Sequence, residues 1–173
     1  MFDGHINLGL ALQKTNRTKD ALNSYKKALS INSNHLILNI NIGALYQEVR
    51  NAKQALKYYE IAKKIDPNFS EIYNNIGIIY GEIGEKQKSF DNYKKALAIN
   101  PSYAKAFRHL SQTKLLKAND PIIKKMQTIY KNPITSDEDK IEIAFGLGTV
   151  LNEQKKFSES FKFFDEGNKL IKI

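Results

Sequence analysis

Residues 36–69 read LILNINIGALYQEVRNAKQALKYYEIAKKIDPNF, and the 34 that follow, SEIYNNIGIIYGEIGEKQKSFDNYKKALAINPSY, repeat their pattern. Ile42-Gly43 returns as Ile76-Gly77, Tyr59 as Tyr93, Ala62 as Ala96, Ile65-Asp66 as Ile99-Asn100 and Pro67 as Pro101. Toward the amino terminus Leu8-Gly9, Tyr25, Ala28 and Ile31-Asn32 stand at the same steps, with Ser33 where the other copies have proline. Ala21 and Ala55 align, and Ser89 takes that step in the third copy. A fixed period of this length marks one supersecondary unit used repeatedly. Such a unit cannot bury its own apolar side, so each copy shelters the next.

Within a copy, small residues (Gly43, Ala55, Ala62) alternate with large ones (Tyr46, Tyr59) at spacings suited to two antiparallel helices. The small side chains let the backbones approach and the aromatic rings fill the remaining space. Asn51 followed by Gln54 reads as a capping box opening a second helix, and Pro67 and Pro101 fall in turns where a helix cannot continue. After Pro101 the pattern starts again with Phe107, Leu110 and Ser111, then loses its frame near Asn119-Asp120-Pro121. Asp120-Pro121 predicts a fresh helix start, carried by Ile122, Ile123, Met126, Ile129 and Tyr130 as far as Pro133, in place of the partner expected for 104–118. Ser136 is placed as an N-cap, with Asp137, Glu138 and Asp139 where the helix dipole favours carboxylates. Ala144, Leu147, Gly148 and Leu151, then Ser160, Phe164 and Gly167, predict a last, divergent hairpin that closes the stack.

These residues resemble the tetratricopeptide repeat. That pattern has an aromatic, then Leu-Gly, a second aromatic, Ala, aromatic, Ala and finally Pro. The second copy carries Ile42, Gly43, Tyr46, Ala55, Tyr59, Ala62 and Pro67, with Asn39 in place of the first aromatic; the third carries Tyr73, Ile76, Gly77, Tyr80, Tyr93, Ala96 and Pro101. The first departs further, with His5 and Leu12 at aromatic positions. The resemblance implies an all-α fold, a right-handed α-solenoid of antiparallel helix pairs. The expected organisation is a single repeat domain over 1–173, with repeats at 2–35, 36–69 and 70–103, a partial fourth helix pair at 104–132 and the divergent hairpin at 136–171.

The composition agrees with an ordinary folded chain: 42% hydrophobic, 26% charged, nine glycines and four prolines in 173 residues. There is no cysteine, which excludes disulfides, thiolate metal sites and a cysteine nucleophile. The apolar runs are short, and the opening Met1-Phe2-Asp3-Gly4 lacks the pattern of a secretory leader, so the expected compartment is the cytoplasm, with no membrane association. The net charge of +9 rests on 24 lysines against three arginines, and isoleucine and asparagine are also abundant. All three share A/T-rich codons, which accounts for the lysine excess. A nucleic-acid reader is expected to use arginine, so no nucleic-acid partner is expected.

No constellation for catalysis emerges, and neither a cofactor nor a metal is expected. His5, His35 and His109 are far apart and lack second ligands at metal spacing. Gly146-x-Gly148 lacks the strand, third glycine and lysine-serine of a phosphate loop. The candidate site is instead a row of amides. Asn7, Asn41 and Asn75 each precede the Leu/Ile-Gly pair, and His109 takes that step in the fourth copy. An amide both donates and accepts, so such a row can hold the main chain of an extended peptide whatever its side chains. Similar ladders occur in the repeat domain of O-linked N-acetylglucosamine transferases.

By the family's geometry the inner face also includes Ile6, Leu10, Ile37, Ile40, Asn74, Ile78, Lys105 and Arg108. The chaperone-type carboxylate clamp is not carried over, because Ile6 and Leu10 stand at its first positions and Glu71 opposes its next lysine. The expected function is a non-catalytic interaction scaffold for a protein or peptide, and the apolar first helix allows a homodimer through that end. An alternative comes from the last hairpin, whose Ala144–Gly148, Phe157–Phe161 and Gly167–Leu170 stretches resemble the segment preceding bacterial sulfotransferase domains. It implies the non-catalytic repeat part of such an enzyme.

Overall fold

A computed structural model describes residues 1–171. Their regular structure is ten α-helices: α1 (Phe2–Lys14), α2 (Thr18–Ile31), α3 (Leu36–Glu48), α4 (Ala52–Ile65), α5 (Ser70–Glu82), α6 (Lys86–Ile99), α7 (Ala104–Gln112), α8 (Pro121–Lys131), α9 (Asp137–Glu153) and α10 (Phe157–Ile171). The chain divides into two compact units, Met1–Ile79 and Tyr80–Ile173, the division falling within α5.

In the first unit α1 pairs with α2, α3 with α4, and α3 also packs on α2. The small-against-large rule of the repeat is directly visible. Tyr25 is fully buried over Gly9, where an added Cβ would meet its ring at 2.3 Å; Tyr59 lies over Gly43 in the same way, at 2.7 Å. Each hydroxyl then donates back across its pair, Tyr25 to Gln13 Oε1 at 3.1 Å and Tyr59 to Gln47 Oε1 at 3.4 Å. Ala21, Leu22, Tyr25 and Ala28 of α2 and Leu38, Ile42 and Leu45 of α3 form one core, onto which Phe2, Ile6, Leu12 and Leu29 pack. Leu8, at the step of the buried Ile42 and Ile76, is half exposed.

Asn39, in place of the aromatic, is buried and donates to the carbonyls of Ser33 (3.3 Å) and His35 (2.9 Å). Tyr73, at the same step of the next copy, donates to Pro67 O at 3.0 Å. An amide and a phenol thus tie the same turn. Of the expected capping box the N-cap half forms, Asn51 Oδ1 accepting from the Gln54 backbone N–H at 3.2 Å, while the Asn51 N–H donates to Tyr46 O at 2.8 Å; His35 Nδ1 accepts from the Leu38 N–H in the same way.

Two turns recur in both units. Between the helices of a pair, Asn16, Arg50, Gly84 and Lys155 all have positive φ and stand at one repeat step, which sets the register of the last hairpin as well as the first three copies. Between pairs, the side chains of Asn32, Asp66, Asn100 and Asn132 each accept from the amide two residues on, at 2.8–3.1 Å.

In the second unit α7 packs on α6 and α9, and α9 also packs on α8 and α10. α7 has 9 residues where α1, α3 and α5 have 13. Thr113 turns its hydroxyl back to Leu110 O at 2.7 Å, and Lys114 follows with φ 62°, so the helix stops one turn early. α8 opens on the Asp120 side chain, which accepts from Ile122 at 2.9 Å, and leans its Met126 on Gly146 of α9. Ser136 caps α9 through the Asp139 amide at 3.2 Å. The last hairpin repeats the earlier packing: a Cβ at Gly148 would meet the Phe164 ring at 2.7 Å, and Ser160 donates to Gly148 O at 2.8 Å.

Candidate peptide-binding face

In the first unit the three amides lie at one step of successive first helices, α1, α3 and α5. Asn7 is exposed, and Asn41 and Asn75 are half-buried. The Asn41 amide stands beside the Tyr25 hydroxyl, close enough to act on that phenol's pKa. Tyr25 thus donates to Gln13 within its own pair and faces Asn41 of the next copy. Burial raises the pKa of that phenol, against which Asn41 works to lower it, while nearby Glu48 adds to the rise. The Tyr25 ring is locked over Gly9, so the hydroxyl beside Asn41 is a fixed point. Asn75 accepts from Asn74 Nδ2 at 3.5 Å.

The apolar residues of the face separate into two groups. Leu10 and Ile37 are 41% and 46% exposed and offer surface, and Ile6 and Ile78 are half-buried. Ile40 and Asn74 are 5% and 3% exposed, so they support the face from beneath and present little surface to a ligand.

In the second unit Lys105 is exposed, but Arg108 and His109 are engaged by neighbouring side chains. Arg108 Nη1 reaches Glu142 Oε2 at 3.0 Å, and its guanidinium carbon stands 4.9 Å from the centre of the Phe145 ring. The His109 ring lies 5.5 Å from that of Tyr93. Burial lowers the His109 pKa, partly opposed by Glu142 and assisted by Arg108 and Lys105. Burial likewise pushes Tyr93 up to about 12, against a hydrogen bond from Ser89. Of the three basic side chains close together on α7, Lys105, Arg108 and His109, Arg108 is thus neutralised by Glu142, a feature missed in the sequence because Glu142 belongs to a hairpin whose frame is shifted from that of α7. The Tyr25 link to Asn41 was also missed, although Tyr25 and Tyr59 stand at matching steps. Among the described residues, no three His, Cys, Asp or Glu side chains stand where they could hold a metal ion. None of the described helices is long and apolar enough to cross a membrane.

The architecture is all-α, of helix pairs stacked as in an α-solenoid, and the face it offers is a row of amide and apolar side chains. Tetratricopeptide repeat models match residues 2–35 and 70–103, and a second model of that repeat matches 38–69. The chain belongs to the tetratricopeptide repeat family, whose repeats are in general non-catalytic protein-interaction modules.

Among solved structures, MamA is similar with a TM-score of 0.71 at 22% identity, over 95% of each chain. PilF of Pseudomonas aeruginosa gives 0.72 at 18% identity, over 97% of this chain and 75% of its own. YrrB, described as a TPR protein with an unusual peptide-binding site, gives 0.66 at 14% identity, over 96% of this chain and 84% of its own. At these identities the likeness establishes the fold. No curated protein matches this sequence. These similarities do not bear on the resemblance of the last hairpin to sulfotransferase-linked segments.

Proposed function

We propose that this chain is a non-catalytic scaffold whose row of first helices holds an extended segment of a partner protein. The observation that carries the reading is the row itself: Asn7, Asn41 and Asn75 share one step of successive first helices, with Asn41 half-buried beside the Tyr25 hydroxyl. A half-buried amide has less freedom to lose on binding, and it retains capacity to donate to or accept from a peptide main chain. Leu10 and Ile37 add exposed apolar surface to the same row. Two general facts support it: the family's repeats serve protein interaction, and YrrB of like fold is described by a peptide-binding site.

The test is selection from a library of random peptides on the intact chain, followed by affinity measurement with Asn41→Ala/Asn75→Ala. Tyr25 keeps Gln13 when Asn41 is truncated, so the fold should be little affected. We expect selected peptides to bind the double variant about tenfold or more weakly, one good hydrogen bond's worth for each amide, at an unchanged melting temperature. Equal affinity for both proteins would end the proposal.

A further inference from the structure

Summed repeat by repeat, the charge of this chain looks diffuse; sorted by helix, it does not. In the first unit, α1, α3 and the part of α5 up to Ile79 hold one lysine, Lys14, against Asp3, Glu48 and Glu71. The second helices, α2 and α4, hold seven lysines against two acids, Asp20 and Glu60. Codon usage accounts for how many lysines the chain has. It does not account for which helices carry them.

The geometry of α2 and α4 adds a direction. Each buries one side, Ala21, Tyr25 and Ala28 in α2 and Ala55, Tyr59 and Ala62 in α4. Lys19 and Lys26, and likewise Lys53, Lys57 and Lys64, are spaced seven apart or at four and eleven, which keeps each set within about 40° of helix azimuth on the side away from the core. All five are exposed, though the Lys26 ammonium is drawn to the Tyr46 hydroxyl of α3 at 2.8 Å, which leaves Lys19, Lys53, Lys57 and Lys64 as the outward charges. The two acids of these helices are already engaged, Asp20 by Arg17 at 2.7 Å and Glu60 by Lys63 at 2.5 Å. Because Tyr25 on Gly9 and Tyr59 on Gly43 are the same contact, α2 and α4 stand on the same side of their first helices, and their lysine stripes share one face. α6 repeats the composition in its own unit, with Lys86, Lys88, Lys94 and Lys95 against Asp91.

We propose that the lysine face of α2 and α4 docks the protein on an anionic lipid surface, independently of what the first helices hold. The sequence alone led to the opposite expectation, no membrane, because it was drawn from the short apolar runs, which bear on a spanning segment and not on a charged surface. The chemistry of the face selects lipid over nucleic acid. Neither α2 nor α4 has an arginine, and the aromatic rings are withdrawn: Tyr25 and Tyr59 are buried and Tyr58 is stacked on Tyr46 at 5.6 Å. Base and phosphate readout draws on arginine forks and stacking platforms. A fluid layer of anionic headgroups asks only for point charges on flexible stems, attraction falling off within a Debye length.

The experiment is co-sedimentation of the full chain with vesicles of phosphatidylcholine alone or with about 30 mol % phosphatidylglycerol, at about 0.15 M salt. Two quadruple variants are compared, Lys19→Glu/Lys53→Glu/Lys57→Glu/Lys64→Glu and a control of equal charge change, Lys117→Glu/Lys124→Glu/Lys125→Glu/Lys131→Glu. We expect binding to anionic vesicles only, lost on raising the salt, and weakened by about tenfold or more in the first variant but far less in the control. If charge reversal disturbs folding, the Lys→Gln version of the first variant must still lose binding, to a smaller degree. No binding to anionic vesicles, equal loss in the two variants, or tighter binding to a DNA duplex or single-stranded RNA than to the vesicles would each overturn the proposal.

Discussion

Gly43→Ala isolates the contact on which the repeat depends. Two effects oppose each other. Alanine is the better helix former by about 0.8–1 kcal/mol, so in open space the change stabilises α3. Here the new methyl would stand 2.7 Å from Tyr59 Cε1, 2.9 Å from Cδ1 and 3.0 Å from Cζ, three contacts at once and about 0.7 Å short of ordinary separation at the worst. Tyr59 is fully buried and its hydroxyl is bonded to Gln47, so the ring has nowhere to retreat without carrying α4 with it. Overpacking of this kind costs about 1–3 kcal/mol, and here it wins. After the helix gain is subtracted, a net loss of up to about 2 kcal/mol remains, which lowers the melting temperature by up to about 8 °C at this chain length.

The assay is thermal and urea unfolding by circular dichroism, with two companions that remove one side of the balance. Gly4→Ala, with nothing within 4 Å of the added carbon, should be neutral to stabilising. Gly43→Ala made in a Tyr59→Leu background, where the ring is gone, should cost little or nothing relative to Tyr59→Leu alone. If Gly43→Ala stabilises the wild-type chain as Gly4→Ala does, the close approach of α3 and α4 does not exist as described.

Two further outcomes follow from the second unit. His109 has a lowered pKa because it is buried, so between its folded value and the ordinary 6.5 the unfolded chain binds a proton that the folded chain refuses; stability should fall as pH drops below about 6.5, and His109→Gln should flatten that part of a stability-against-pH curve. Ser136→Ala removes the side chain that accepts from Asp139 at the start of α9 and should cost about 1 kcal/mol, read by urea unfolding, whereas Ser136→Asp should restore most of it.

The first three copies were legible because their packing is local: Gly9 and Tyr25, or Gly43 and Tyr59, lie within one 34-residue period, and the size alternation announces them. The caps at Asn51, Asp120 and Ser136 were legible for the same reason, each being a bond within two or three residues. The early stop of α7 was not. It depends on the Thr113 hydroxyl turning inward and Lys114 taking positive φ, and a threonine-lysine pair carries no such signal. Gly146 shows how a motif can be present for another reason: weighed as half of a phosphate loop, it is the point where an added Cβ would meet Met126 at 2.7 Å and the Arg108 backbone at 3.3 Å. In the candidate site the step occupied by Asn7, Asn41 and Asn75 was readable from the period. The approach of Asn41 to Tyr25 was not, since it crosses from one copy to the next. The place of Arg108 on the inner face was readable in the same way as that step, but its engagement by Glu142 and Phe145 was not, since both belong to the divergent hairpin.

The most direct measurement is a titration of the isotopically labelled chain with a library-selected peptide, followed through the side-chain amide resonances of Asn7, Asn41 and Asn75. We expect those of Asn41 and Asn75 to shift along the binding isotherm while the backbone amides of α2 and α4 around Lys19, Lys53 and Lys57 stay in place. Saturable binding with the asparagine amides unmoved, and the shifts gathered on the lysine face, would contradict the assignment of the first helices as the partner-holding row.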